Sequence, residues 1–179
     1  MDEMTHLTLV TGGAASGKSH LAERLVEAAA LRRVYLATAE ALDTEMETKI
    51  ARHKARRGPG WITIEEPRLL APLFLERAAD EAVLLDCATL WLSNQLFAGA
   101  DIEEETATLL AAVSACTCPV VIVSNEVGAG IVPENALARR FRAEQGALNQ
   151  RLAARAGRVI VTIAGLPFAL KGTLPEALS

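Results

Sequence analysis

The stretch Val10-Thr11-Gly12-Gly13-Ala14-Ala15-Ser16-Gly17-Lys18-Ser19 decides the fold. From Gly12 to Ser19 it fits the phosphate-loop pattern G-x-x-x-x-G-K-[ST]. Upstream, Leu7-Thr8-Leu9-Val10 reads as a short buried strand. Downstream, Leu21, Ala22, Leu25, Val26 and Ala29 recur at helical spacing and predict a first helix over about Lys18 to Ala30. Strand, glycine loop and helix together turn a pattern match into a mechanism. Gly12, Gly13 and Gly17 allow conformations and close approaches that a side chain blocks. The amides of residues 13–19 then point inward around a β-phosphate, aided by the positive end of the helix. Lys18 reaches the β- and γ-phosphates, and the Ser19 hydroxyl ligates Mg2+. The plain alternative is a glycine-rich turn with a chance Lys-Ser, and the flanking strand and helix weigh against it.

Outward from this stretch, 179 residues suit one α/β domain spanning 1–179, large enough for a continuous core. About half the chain is apolar and about a fifth charged, the composition of an ordinary soluble globular protein. A net charge of −4 argues against a general nucleic-acid binder, which needs a basic face. Cys116-x-Cys118 lacks the two-residue spacer of a redox pair or zinc knuckle, and no second ligand pair follows. With Cys87, these cysteines are expected as small apolar residues in or near the core. Met1-Asp2-Glu3-Met4 is acidic and no signal peptide is visible. No apolar run approaches the roughly 18 residues of a membrane span. A reduced, cytoplasmic protein is expected.

Along the chain, Val34 to Ala37 reads as a second strand, ending in Thr38-Ala39. A polar helix is expected from about Asp43 to Arg57, with Met46, Ile50, His53 and Arg57 on one side and Lys49 adjoining. Gly58-Pro59-Gly60 breaks it. Trp61 to Glu65 is a third strand, and Leu69 to Ala79 a helix carrying Leu70, Leu73, Phe74 and Arg77. The run Ala82 to Asp86 ends in a carboxylate. In phosphate-loop enzymes an aspartate at the end of a strand beside the loop holds Mg2+; an ordinary turn or helix-capping role is the alternative. Helices follow over Cys87 to Phe97 and Glu103 to Ala115, then a buried strand over Pro119 to Ser124. Asn125-Glu126 falls just past that strand, where open α/β sheets carry ligand contacts. The loop Val127 to Pro133 contains Gly128 and Gly130. A long helix runs from about Glu134 to Ala156, and Val159 to Ile163 is the last strand expected. Alternating strands and helices predict a mainly parallel sheet with helices on both faces, and no repeat or linker interrupts it.

The loop establishes phosphate binding but not the reaction. The segment Ile50 to Arg57 admits three readings: a solvated basic face, a phosphate clamp with an incidental histidine, or a nucleophilic His53. In the last, neighbouring cations keep the ring neutral and stabilise a transferring phosphoryl group.

Several stretches together resemble the adenosylcobinamide kinase / adenosylcobinamide-phosphate guanylyltransferase family of cobalamin biosynthesis. They are Val10 to Ser19, Ala37-Thr38-Ala39 with Asp43-x-Glu45-Met46, Ile50-x-x-His53-Lys54, and Asp86, Thr89, Trp91 and Asn94. Further on come Asn125-Glu126-Val127-Gly128-x-Gly130-Ile131-Val132-Pro133-Glu134-Asn135 and the run from Leu137 to Ala153. The match covers nearly the whole chain in order, and its Asn-Glu-Val-Gly to Pro-Glu-Asn run is highly specific.

The resemblance implies two reactions. One phosphorylates the aminopropanol hydroxyl of adenosylcobinamide from a nucleoside triphosphate, ATP or GTP. The other moves GMP from GTP onto adenosylcobinamide phosphate through a guanylyl-histidine, a position that His53 matches. By the same matching, residues 12–19, Ala37, Thr38, Ala39, Lys54, Ala55, Arg56, Arg57, Glu65 and Asp86 contact GTP. Ser19 and Asp86 are the expected Mg2+ ligands, and Glu126, placed after its strand, is read as orienting the attacking hydroxyl. The resemblance also implies a homotrimer. Ala15 stands where the family usually has arginine, and Arg52 replaces a common histidine. A plain small-molecule kinase is the nearest rival. A nucleotide switch would carry an N-K-x-D base motif, and none occurs here.

Overall fold

The structure, a computed structural model, describes residues 4–29, 32–40, 44, 55 and 57–175. Seven strands form one sheet: β1 (Met4–Gly12), β2 (Arg32–Ala37), β3 (Trp61–Glu65), β4 (Glu81–Asp86), β5 (Val120–Asn125), β6 (Ala156–Ile163) and β7 (Leu166–Lys171). The described helices are α1 (Lys18–Ala28), α2 (Leu70–Leu75), α3 (Ala88–Phe97), α4 (Ile102–Ala115) and α5 (Ala136–Arg155). Of the polar helix expected over 43–57, Thr44, Ala55 and Arg57 are helical, and the other positions, His53 among them, lie outside the described residues.

The strand order is β3-β2-β4-β5-β1-β6-β7, with every neighbouring pair parallel except β6–β7. Continuous apolar runs make the central strands. In β5, Val120, Val121, Ile122 and Val123 are all buried, as a parallel strand covered on both faces demands. One face packs Leu7, Leu9, Leu36, Leu85 and Ile122 against Phe74 of α2, Trp91 of α3, Leu109 of α4 and Leu148 of α5. The other packs Val10, Tyr35, Leu84 and Val123 against Leu21, Ala22 and Val26 of α1. Each fully buried Leu or Val contributes about 1.5–3 kcal/mol. Asp101 caps α4 by accepting from the amides of Glu103 and Glu104, and Asn135 caps α5 through Leu137 and Ala138.

Several boundaries differ from expectation. The helix expected over 69–79 spans only Leu70–Leu75. The Glu81 carboxylate takes the Ala78 amide at 2.9 Å, and the Glu81 amide returns to the Ala78 carbonyl at 3.0 Å, which turns the chain into β4. The long helix starts at Ala136, after its Asn135 cap. Val159–Ile163 is not the last strand. Ala164 (φ 53°) and Gly165 (φ 80°) make a two-residue turn into β7, with Ile163 opposite Leu166. Pro167 is tolerated there because β7 is an edge strand.

Candidate active site

The carboxyl ends of the parallel strands meet along one edge. Gly12 of β1 is level with Asn125 of β5 and Thr162 of β6. Glu65, Ala37 and Asp86 form a second level row across β3, β2 and β4, with Asp86 opposite Val123. That row therefore sits two residues lower along β5 than Gly12, about 7 Å. The aspartate was expected on a strand beside the loop; instead β5 lies between β4 and β1. Asp86 thus stands about two strand spacings, ~10 Å, from the loop strand in the plane of the sheet.

The loop is built as its glycines require in two places. Gly12 has φ 153°, and a Cβ there would lie 2.5 Å from the Thr162 carbonyl and 2.8 Å from Ser16 Oγ. Gly17 has φ 96° and starts α1, its carbonyl accepting from the Leu21 amide at 3.0 Å. Gly13, also expected to need its freedom, has no positive φ, and a Cβ there would meet no chain atom within 4 Å. Ala15 adopts φ 54°. Lys18 is 7% exposed and its Nζ donates to the Gly13 carbonyl at 2.5 Å, so its ammonium lies over the loop. Ser19 is half-buried in the first turn of α1, and Ala14 is exposed.

The β6–β7 turn braces this loop, which the sequence did not reveal. Ser16 Oγ and Thr162 Oγ1 are hydrogen-bonded at 2.8 Å, and the Gly165 amide donates to the Ser16 carbonyl at 3.1 Å. A two-residue hairpin signal at 164–165 was the one cue to it.

Thr38 ties β2 to β4. Its hydroxyl donates to the Cys87 carbonyl and accepts from the Cys87 amide, both at 2.8 Å. Its amide donates to the Asp86 carbonyl at 3.3 Å, and its carbonyl accepts from Asn94 Nδ2 at 2.9 Å. It is 0% exposed. Thr38, expected to contact nucleotide, uses its hydroxyl, amide and carbonyl within the chain. Ala37 and Ala39 flank it, half-buried.

Asp86 accepts from the Tyr35 hydroxyl at 2.9 Å. Burial holds the Tyr35 phenol far above its ordinary range, and the Asp86 charge adds to this, so the phenol remains a donor. The Arg57 guanidinium, 8% exposed, stacks over the Tyr35 ring at 3.5 Å. Arg57 thus joins the site through Tyr35, a residue that sequence reasoning passed over. Ala55 and Glu65 are exposed; Lys54, Arg56 and His53 lie outside the described residues.

Glu126 closes the other side. Its amide donates to the Gly12 carbonyl at 2.9 Å, and its Oε1 accepts from the Gly128 amide at 2.7 Å. Behind it, Thr89 Oγ1 accepts from the Asn125 amide at 2.7 Å, and Asn149 Nδ2 donates to the Asn125 carbonyl at 3.1 Å. Arg142 donates to the Gly128 carbonyl, and Arg139 to the Pro133 carbonyl at 3.0 Å, pinning the 127–135 loop to α5.

A strand, a glycine-bent loop with a buried lysine, and a helix whose amino end faces that loop define a P-loop nucleotide-binding protein. The particular family follows from comparison. A profile described as "Cobinamide kinase / cobinamide phosphate guanyltransferase" matches residues 8–170, and the chain belongs to that family. It is 46% identical over 167 residues to the bifunctional adenosylcobalamin biosynthesis protein CobP of Pseudomonas aeruginosa, covering 92% of this chain and 96% of that one. It is 43% and 40% identical, each over 181 residues, to the CobU proteins of Salmonella typhimurium and Escherichia coli, covering 92% of this chain and 99% of each. A RadB recombinase structure overlays 87% of this chain and 73% of its own with a TM-score of 0.48 at 18% identity. The chain is accordingly a bifunctional enzyme, a cobinamide kinase and cobinamide-phosphate guanyltransferase. No described helix is long and apolar enough to cross a membrane.

Proposed function

We propose that both reactions draw their nucleotide from the loop at 12–19 and that GMP passes through His53. In the kinase step the aminopropanol hydroxyl of adenosylcobinamide attacks the γ-phosphorus of ATP or GTP. The new O–P bond forms as the bond to the β-phosphate oxygen breaks and the nucleoside diphosphate leaves. Lys18 follows the charge that moves onto the β,γ-bridge, and the amides of the loop hold the phosphates in line. Glu126, whose amide is hydrogen-bonded to the Gly12 carbonyl, orients the incoming hydroxyl.

In the guanylyl step a ring nitrogen of neutral His53 attacks the α-phosphorus of GTP and pyrophosphate leaves. A phosphate oxygen of adenosylcobinamide phosphate then attacks the same phosphorus, the N–P bond breaks, and adenosyl-GDP-cobinamide is released. Lys54 and Arg56 stabilise the charge, Arg57 works through Tyr35, and Glu65 marks the far end of the nucleotide's edge.

The donor set suits Mg2+: the Ser19 hydroxyl and the Asp86 carboxylate are hard oxygen ligands that leave positions for phosphate oxygens and water. When bound, the ion neutralises phosphate charge. The Tyr35 hydrogen bond holds the Asp86 carboxylate in place. A cytoplasmic homotrimer belongs to the same reading.

The observation that carries this reading is Lys18 Nζ held over the loop at 2.5 Å from the Gly13 carbonyl, in a chain matched by the family over 8–170. The test is to incubate the protein with α-labelled GTP, denature it, and look for an acid-labile, base-stable label. His53→Ala should lose the label and keep phosphorylation of adenosylcobinamide. Label persisting on the variant would reassign the nucleophile, and a wild type that never labels would mean that GMP passes directly to its acceptor without a histidine intermediate.

A further inference from the structure

Cys116 and Cys118 sit at the end of the sheet opposite the nucleotide loop, where α4 stops at Ala115 and β5 begins at Val120. Their spacing in sequence gave no reason to pair them. The chain leaves the helix at Cys116 with φ −65° and ψ 131°, and this bend brings the two sulfurs to 3.4 Å. A disulfide needs about 2.05 Å, so closure asks for a movement of about 1.4 Å. Both thiols are buried, Cys116 at 5% and Cys118 at 0% exposure, beneath the exposed Ala115, Thr117 and Pro119.

We infer that Cys116 and Cys118 are a reversible dithiol–disulfide site, closed by a hydroperoxide. The two thiols are unequal, as a nucleophile and its resolving partner must be. The contact with the Cys118 thiol favours the Cys116 thiolate, with burial opposing and the Cys118 backbone, His6 and Arg77 assisting. Cys118 is held as the thiol by that same contact, by burial, and by the negative charges of Cys116 and Glu81. His6 is fixed by its Nε2 contact with the Val113 carbonyl at 2.9 Å, and Arg77 by the Leu73 carbonyl at 2.7 Å. Cys87, 6% exposed in the core on the other face of the sheet, is the internal control.

The chemistry balances with the hydroperoxide as oxidant. The Cys116 thiolate attacks the O–O bond; an S–O bond forms and the O–O bond breaks. The leaving oxygen takes a proton and departs as an alcohol, or as water when the oxidant is hydrogen peroxide. Cys118 sulfur then attacks the sulfenic sulfur of Cys116. The S–S bond forms, the S–O bond breaks, and water leaves with the Cys118 proton. The two thiols together lose one electron pair, and the peroxide gains it. A thiol reductant reverses the change.

The reduced full-length protein is treated with hydrogen peroxide, its free thiols are alkylated, and glutamyl cleavage at 103–105 separates Cys87 from the pair before mass spectrometry. The expected product has lost two hydrogens, carries Cys116 linked to Cys118 within one chain, and is alkylated only at Cys87; dithiothreitol restores three alkylated thiols. In Cys118→Ser, Cys116 should be trapped as a sulfenic acid by dimedone, and in Cys116→Ser no linked peptide should form. Alkylation of Cys116 and Cys118 after treatment, prior loss of Cys87, or linkage only between chains would overturn the assignment. The whole of β5 separates this site from Asn125, so its failure leaves the guanylyl and kinase reading untouched.

Discussion

The amide of Glu126 donates to the carbonyl of Gly12 at 2.9 Å. This one bond joins the residue after β5 to the first residue of the phosphate loop and fixes the Glu126 backbone beside that loop. Asn125, whose amide and carbonyl are taken by Thr89 and Asn149, anchors it from behind.

Asn149 is therefore a positioning residue. Its Oδ1 accepts from Ser124 Oγ at 2.6 Å and from Gln145 Nε2 at 3.0 Å, while its Nδ2 holds Asn125. Asn149→Leu strands these buried groups and should cost on the order of 1–3 kcal/mol in a urea titration. The kinase kcat should fall more than the nucleotide KM changes, because Glu126 loses its anchor while the loop keeps its own braces. Unchanged kcat at reduced stability would make the network structural only.

Gly12 and Gly13 should part company. Gly12→Ala drives a methyl to 2.5 Å from the Thr162 carbonyl, so the variant should melt markedly lower and lose nucleotide binding. Gly13→Ala meets open space, so it should keep its melting temperature. Weaker nucleotide binding by Gly13→Ala, seen by calorimetry, would place the demand for that glycine in the ligand. A Gly12→Ala protein with native melting and affinity contradicts the packing described.

Lys18→Ala should lower both activities by about 100-fold, the scale of removing one charge-stabilising donor. Steady-state rates with adenosylcobinamide and with its phosphate check this. An unaffected kinase rate rules out the role given to Lys18.

Thr38→Val keeps the shape and removes the hydroxyl. Two buried groups of Cys87 lose their partner, so the variant should be less stable by on the order of 2–4 kcal/mol, with Thr38→Ser recovering most of it. A valine variant as stable as the parent, measured by chemical denaturation, would show that water or another group takes over.

Much of this was legible in the chain. The apolar runs at Val34–Ala37, Ala82–Asp86 and Val120–Val123 are continuous because both faces of a parallel sheet are covered, so strand and core could be read together. The loop at 12–19 announces itself because its chemistry depends on local backbone freedom and on residues adjacent in sequence. What failed did so where a distant partner decides. The helix over 70–75 stops early because of Glu81, and β7 forms against β6 through an Ala-Gly turn and a proline that reads as a breaker. The ties of Thr38 to Cys87 and Asn94 were likewise not legible in its own segment.

Residue order alone was enough for the nucleotide loop and the alternation of strand and helix, which rest on neighbours in the chain and on periodicity; the family was legible through the resemblance of motifs along the chain. It took the folded chain to put β5 between the loop and Asp86, the β6–β7 turn against Ser16, Arg57 and Tyr35 behind Asp86, and two cysteines within 3.4 Å of each other. The physical reason is the same in each case. Strand order and hydrogen-bond partners are set by which buried surfaces and polar groups satisfy one another across the sheet, and that selection is not written in the spacing of any single segment.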